Sequence, residues 1–243
     1  MGNLAHVLTS QGDFESASAL YRQSLAISRE SGEADKEAVT LNNLGRVSYM
    51  KGDFQEARSL FEQALAIDRD RANRAWQAYD LYGLGIVALY EGEYQTARSF
   101  CEESLALFRE FGNRPGETIA LRGLALSDCR QGNTDEAQPR LAEALKISRE
   151  LGNKQSVVQE LEGFAELFLS AGDPKRGARL LGAAAALREK FGLPFSPADR
   201  PVIERCLSAA LEALGKRAFA TEFARGRALD WKEAAAVALC ERP

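Results

Sequence analysis

The 243 residues include 45% hydrophobic and 27% charged side chains, the balance of a chain that folds around a core. A formal charge of −4 and a pI near 5.4 argue against direct nucleic-acid binding, because phosphate backbones attract a basic field. The longest apolar run, Leu180–Leu187, is too short to cross a bilayer, and Met1–His6 carries no secretory pattern, so a cytoplasmic, membrane-free protein is expected.

Along the chain, the first punctuation is Gly12, and glycines recur at Gly52, Gly92, Gly132 and Gly172, a spacing of 40. A second comb, offset by 20, runs through Gly32, Gly112, Gly152 and Gly192; Ala72 replaces the missing glycine, and Asn73 is expected to take the left-handed cap conformation there. Each comb position predicts a helix end and a chain reversal. Polar helix-starting residues follow the first comb at Asp13, Asp53, Glu93, Asn133 and Asp173, with Pro174 suited to a first helical position. Between the combs the apolar spacing is helical, as in Leu60, Phe61, Ala64, Leu65 and Ile67. Residues 1–192 therefore read as five 40-residue antiparallel helix hairpins stacked in one dimension, and Pro139 predicts a slight kink in one second helix. The first hairpin is short, with three residues before Leu4. It reads as truncated, with Met1 marking an interior point of a longer parent.

After Gly192 the comb stops. A stripe through Val202, Cys206, Ala210 and Leu214, a short helix at 217–225 carrying Phe219 and Phe223, and an Asp230…Glu233 capping box follow. Residues 193–243 are expected to cap the end of the stack.

Leu44-Gly45-x-x-Ser48…Gly52-Asp53-Phe54-x-x-Ala57-x-x-x-Phe61-x-x-Ala64 resembles the tetratricopeptide signature. It recurs around Leu84-Gly85, Leu124-Ala125, Leu4-Ala5 and, more weakly, Phe164-Ala165. The period is 40 rather than 34, so each helix should be longer by most of a turn. Leu180-Leu181-Gly182-Ala183-Ala184, Pro197-Ala198-Asp199-Arg200 and Gly226-Arg227-Ala228-Leu229 resemble the solenoid tail of large bacterial LuxR/MalT-type regulators, which join an ATPase module to such repeats. The phosphate-binding loop and the DNA-binding helices of those proteins lie outside the solenoid, and neither motif stands in this sequence.

The resemblance implies an all-α, right-handed superhelical solenoid whose first helices line a concave groove. By motif position the lining comprises Asn42, Arg46 and Tyr49, then Tyr79, Tyr82, Ile86 and Leu89, then Arg122 and Leu126, then Glu162 and Glu166. Tyrosines flanked by Arg46 and Arg122 suit a protein, an extended peptide or a small acidic ligand with a carboxylate. The alternative is that the longer helices bury these residues between neighbouring repeats.

His6 is the single histidine, and Cys101, Cys129, Cys206 and Cys240 form no CxxC pair, so no metal, cofactor or disulfide is expected. Trp76 and Trp231 read as packing anchors, and Arg69, Arg71 and Arg74 as a solvated face. No nucleophile–base pair or paired-carboxylate motif stands out, which places an enzyme behind a sensor arm of a larger regulator and behind a free-standing adaptor.

Overall fold

The computed structural model describes residues 2–240, so Met1, on which the truncation expectation turns, lies outside the described residues. The described residues form thirteen α-helices and no strand. They fall into two compact units. One runs up to Gly116 and takes in Pro194–Asp199; the other comprises Glu117–Leu193 and the chain from Arg200 onward.

The first unit is built from α1 (Gly2–Gln11), α2 (Phe14–Glu30), α3 (Ala34–Lys51), α4 (Phe54–Asp70), α5 (Arg74–Tyr90) and α6 (Tyr94–Glu110). Chain neighbours pack as antiparallel pairs, since the turns between them are too short for any other arrangement. Each reversal is closed by the same backbone bond, from the residue after the comb position to the carbonyl five residues back. Glu33 donates to Ser28, Asp53 to Ser48, Asn73 to Asp68 and Glu93 to Ala88. This 6→1 bond satisfies a carbonyl that the helix end would leave unpaired.

At the missing tooth the left-handed residue is Ala72 itself, with φ of 54°, while Asn73 has φ of −84° and starts α5. The register of the turn outweighs residue preference there, at the strain cost a Cβ carries at positive φ. Of the five polar starters, Asp13 and Asp173 accept a backbone N–H from their side chains; Asp53, Glu93 and Asn133 hold the position without such a bond.

The second unit contains the rest of α7 (Arg114–Arg130), then α8 (Thr134–Glu150), α9 (Lys154–Ser170), α10 (Pro174–Phe191), α11 (Arg200–Leu214), α12 (Lys216–Arg227) and α13 (Trp231–Leu239). Pro139 lies within α8, near its start. Beyond α10 the twofold hairpin pattern ends: α11, α12 and α13 all pack on α10, and α11 and α13 also reach α9. The Asp230–Glu233 capping box forms in both directions, and Phe219 stacks on Phe223 with centroids 5.5 Å apart. Trp231 joins the apolar cluster around Leu161, Phe164 and Leu180.

Polar residues about one repeat apart meet on the helix surfaces, because a residue one repeat on lies beside its counterpart. Arg22 pairs with Glu56 at 2.7 Å and Arg74 with both oxygens of Glu110; Arg71 reaches Asp35 at 3.0 Å and Arg130 reaches Glu166 at 3.0 Å. The first three pairs are exposed and contribute a few tenths of a kcal/mol each, whereas Arg130 and Glu166 are mostly buried.

Candidate functional site

The sequence-derived stripe begins on α3. Asn42 is buried and donates from Nδ2 to Oδ1 of Asp80 at 2.7 Å, so it ties α3 to α5 rather than facing outward. One turn on, Arg46 is half-buried and takes part in no hydrogen bond or ion pair among the described residues. A further turn on stands Tyr49, packed edge-on against Tyr90 at 5.4 Å.

On α5, Tyr79 is also anchored. Its ring meets Phe108 at 4.8 Å and Trp76 at 5.4 Å, and its hydroxyl accepts from Nδ2 of Asn113 at 2.7 Å. Tyr82 is half-buried, whereas Ile86 and Leu89 are almost fully buried.

In the second unit, Arg122 donates to Oε1 of Gln159 at 2.7 Å and stands 3.5 Å from the carboxylate of the buried Glu160. Leu126 is half-buried. Glu162 receives a two-pronged bond from Arg188 at 2.6 and 2.8 Å, and Glu166 accepts from Arg130 at 3.0 Å. The two acids are thus held by arginines of the same unit, and their negative charge is already compensated.

The most elaborate polar arrangement in the first unit is absent from the sequence expectation. Segment Pro194–Asp199 runs past the C-terminal ends of α1, α3 and α5. Pro194 lies beside Gly12, and Ala198 donates its N–H to the carbonyl of Met50 at 3.2 Å. The Asp199 carboxylate accepts from the Tyr90 hydroxyl at 2.5 Å and from the Tyr49 hydroxyl at 3.4 Å. Burial first, and then the Asp199 charge, push the Tyr49 phenol well above its ordinary pKa, so it remains a donor. Ser196-Pro197-Ala198-Asp199 forms a turn with proline at its second position, closed by the Asp199 N–H to Ser196 O bond at 3.2 Å. The Ser196 hydroxyl also donates to Asp199 Oδ2 at 2.7 Å. The available sequence signal is Pro194 and Pro197 in a segment where the comb fails.

The family model for the tetratricopeptide repeat matches residues 1–70 and 77–150. The chain belongs to the tetratricopeptide repeat family. Among solved structures it is similar to BtubC (BKLC) from P. vanneervenii, at 19% identity and a TM-score of 0.61, covering 95% of this chain and 94% of that one. It is also similar to a protein named as a Podosopora anserina kinesin light chain with nearly identical repeats, at 20% identity and a TM-score of 0.56, covering 79% and 94%. At these identities the likeness establishes the shared all-α repeat fold. No curated protein sequence matches the chain.

Within that fold several acids are buried. Asp80 on α5 and Asp68 at the end of α4 are both almost inaccessible and interact through their carboxyls. Burial above all pushes Asp80 up to about 8 and raises Asp68 as well. Glu160 on α9 is likewise raised to about 8 by burial, which the nearby Arg122 offsets in part. Among the described residues no cluster of metal-binding side chains occurs and no helix is long and apolar enough to cross a membrane.

Proposed function

We propose that this tetratricopeptide chain is a non-enzymatic binding module, with five repeats over 1–192 and capping helices over 193–243, acting as the sensor arm of a larger cytoplasmic regulator. Its site is the part of the stripe on the first helices of the first unit, around Arg46 and Tyr82, and its partner is a protein segment or small acidic ligand presenting a carboxylate. The observation that carries this reading is Arg46. Arg122 and Arg130, one turn either side of Leu126, the repeat counterpart of Arg46 on α7, are spent on Gln159 and Glu166, while Arg46, half-buried, has no partner among the described residues. A planar, permanently charged donor held partly out of water favours an incoming carboxylate.

The LuxR/MalT-type context rests on the motifs of the C-terminal third; a free-standing adaptor is the second reading. A nucleotide-binding module encoded upstream in the same reading frame favours the sensor arm, and its absence favours the adaptor.

The binding test is a panel of acidic and neutral peptides against the immobilised chain. Arg46→Ala and Tyr82→Ala should weaken capture of acidic peptides by about tenfold, with helicity unchanged. Arg69→Ala with Arg71→Ala, on the exposed face where Arg71 pairs with Asp35, should leave capture within about twofold. Equal losses from both sets would remove the stripe from consideration.

A further inference from the structure

The arrangement of Tyr49, Tyr90, the Met50 carbonyl and segment Pro194–Asp199 points to a peptide site at the C-terminal ends of α3 and α5, filled by the chain's own Ser196-Pro197-Ala198-Asp199 turn. We propose that this site takes a partner peptide carrying the same Ser-Pro-x-Asp turn, and that the segment is its competitor in cis.

Three observations support a recognition site rather than a passing loop. First, the contact has the composition of peptide recognition. One bond goes to main chain, from the Ala198 N–H to the Met50 carbonyl, and it is independent of sequence. The Met50 carbonyl is one of those a helix end leaves without a partner in its own helix. The second component is selective: one carboxylate sits between two phenol hydroxyls, those of Tyr90 and Tyr49. A carboxylate accepting from hydroxyls forms strong charge-assisted bonds.

Second, the receiving side is shaped without the segment's help. Tyr49 and Tyr90 brace one another edge-on, and Phe54 at the start of α4 supports Tyr90 at 5.5 Å. The hydroxyls therefore stay aimed when the carboxylate leaves, which lowers the ordering cost of rebinding.

Third, the segment is built to be separable. It has no helical hydrogen-bond ladder; its internal order is the Ser196–Asp199 turn, closed by bonds within four residues. A free peptide of that sequence can form the same turn. Ser196 and Ala198 are nonetheless buried, so the turn is seated and not merely draped over the surface.

This inference rests on the reading of the chain as a peptide binder; Tyr49 belongs to the same stripe, one turn beyond Arg46, but Arg46 takes no part in the hydrogen bonds to the turn, so the two can fail independently. Because the segment is tethered in cis, a partner meets a largely closed site and binds with affinity reduced by the open fraction.

The test uses the full chain and a fluorescein-labelled peptide of residues 193–200 read by anisotropy. Asp199→Ala should bind that peptide at least about tenfold more tightly than the unmodified chain. Tyr49→Phe with Tyr90→Phe, added to Asp199→Ala, should undo the gain, and a peptide with alanine in place of its aspartate should not compete.

A second measurement covers an Asp199 variant that fails to fold. Excess peptide added to the unmodified chain should speed hydrogen exchange at the Ala198 amide by several-fold, because displacement frees that N–H. Equal affinities for the unmodified chain and Asp199→Ala, or an Ala198 amide indifferent to peptide, would make the segment a fixed structural strap and overturn the proposal. Either result leaves acidic-peptide capture through Arg46 standing, because that is measured with the segment in place.

Discussion

Replacing Gly226 by alanine tests how the end of the repeat stack is closed. Helices α10 and α12 cross at paired glycines. A Cβ on Gly226 would fall inside the van der Waals radius of the Arg179 carbonyl oxygen, 2.8 Å from its carbon and 3.0 Å from the Ala183 nitrogen. A Cβ on Gly182 would meet the Phe223 backbone in the same way, 3.0 Å from its carbonyl carbon and 3.2 Å from the Arg227 nitrogen. The obstacle is backbone on both sides, so no side chain can swing aside, and α12 has to retreat from α10 by roughly 1 Å or more. A radial gap of that size forfeits a quarter to a half of the dispersion attraction between the atoms it separates. The atoms affected include those of Phe219, Phe223 and Leu229, which pack on the apolar cluster. Overpacking of this kind costs about 3 kcal/mol at the upper end of its usual range, and alanine returns about 1 kcal/mol of helix propensity. The expected net loss is about 2 kcal/mol.

Gly45→Ala is the internal control. Its Cβ would stand 3.0 Å from the edge of the Phe61 ring, a milder contact with side chain rather than backbone, so the propensity gain should offset crowding to within about 1 kcal/mol. The assay is urea unfolding followed by circular dichroism, with hydrogen exchange to localise the change to α10 and α12. In a thermal melt followed the same way, 2 kcal/mol corresponds for a chain of this size to a midpoint lower by about 4–8 °C. A Gly226→Ala protein as stable as its parent would refute the close-crossing argument, and faster exchange in α3 instead of α12 would refute its location.

Three further outcomes are expected. Asp80→Asn should remove a pH dependence: a carboxyl raised to about 8 by burial binds its proton more tightly folded than unfolded, so its stability contribution is complete below about pH 4 and is lost as pH rises towards 8. The variant's stability relative to the parent should rise steadily from pH 4 to pH 8.5, by a kcal/mol or more in all, and a parallel pair of stability–pH curves would contradict the buried-acid reading. Among the thiols, Cys240 is exposed while burial pushes Cys129 and Cys206 up to about 12, so a maleimide should label the native chain once, at Cys240, with Cys101 also protected. Hydrogen exchange should find α1 the least protected helix of the first unit, since it buries little beyond Ala5 and Thr9 and packs chiefly on α2; protection equal to that of α3 would contradict this.

The all-α hairpin fold is legible in the sequence because its signals repeat. One glycine in a helix-rich chain means little, but combs at a period of 40 fix the reversals, and the 6→1 bonds at Glu33, Asp53, Asn73 and Glu93 show the register kept at each one. At Ala72 residue preference points to the wrong position, since Asn73 tolerates positive φ better than alanine does; the closing bonds of the turn dictate which residue takes it. The stripe is legible as a set of positions and not as a set of environments. Helical spacing places Asn42, Arg46 and Tyr49 in line, but whether each is free depends on partners about one repeat away: Asp80 for Asn42, Asn113 for Tyr79, Glu166 for Arg130.

A periodic reading fails where the period ends, and there the first unit holds its most specific chemistry. Tyr49 and Asp199 lie 150 residues apart in sequence, a separation that no helical spacing or repeat offset can suggest. Pro197-Ala198-Asp199-Arg200 carries a family resemblance and reads as part of the cap, since a segment following the last comb tooth is expected to stay beside the last helix. Its prolines instead keep it out of any helix until α11 starts at Arg200, leaving unpaired main-chain groups that must find partners. The end of α3 offers the Met50 carbonyl, and the tyrosines there offer hydroxyls to the one carboxylate on the segment. The repeat thus supplies a row of similar helix ends, and the break in the repeat supplies the segment that distinguishes one of them. Substitutions at the comb should therefore change stability with little effect on recognition, whereas substitutions at Tyr49, Tyr90 and Asp199 should do the reverse.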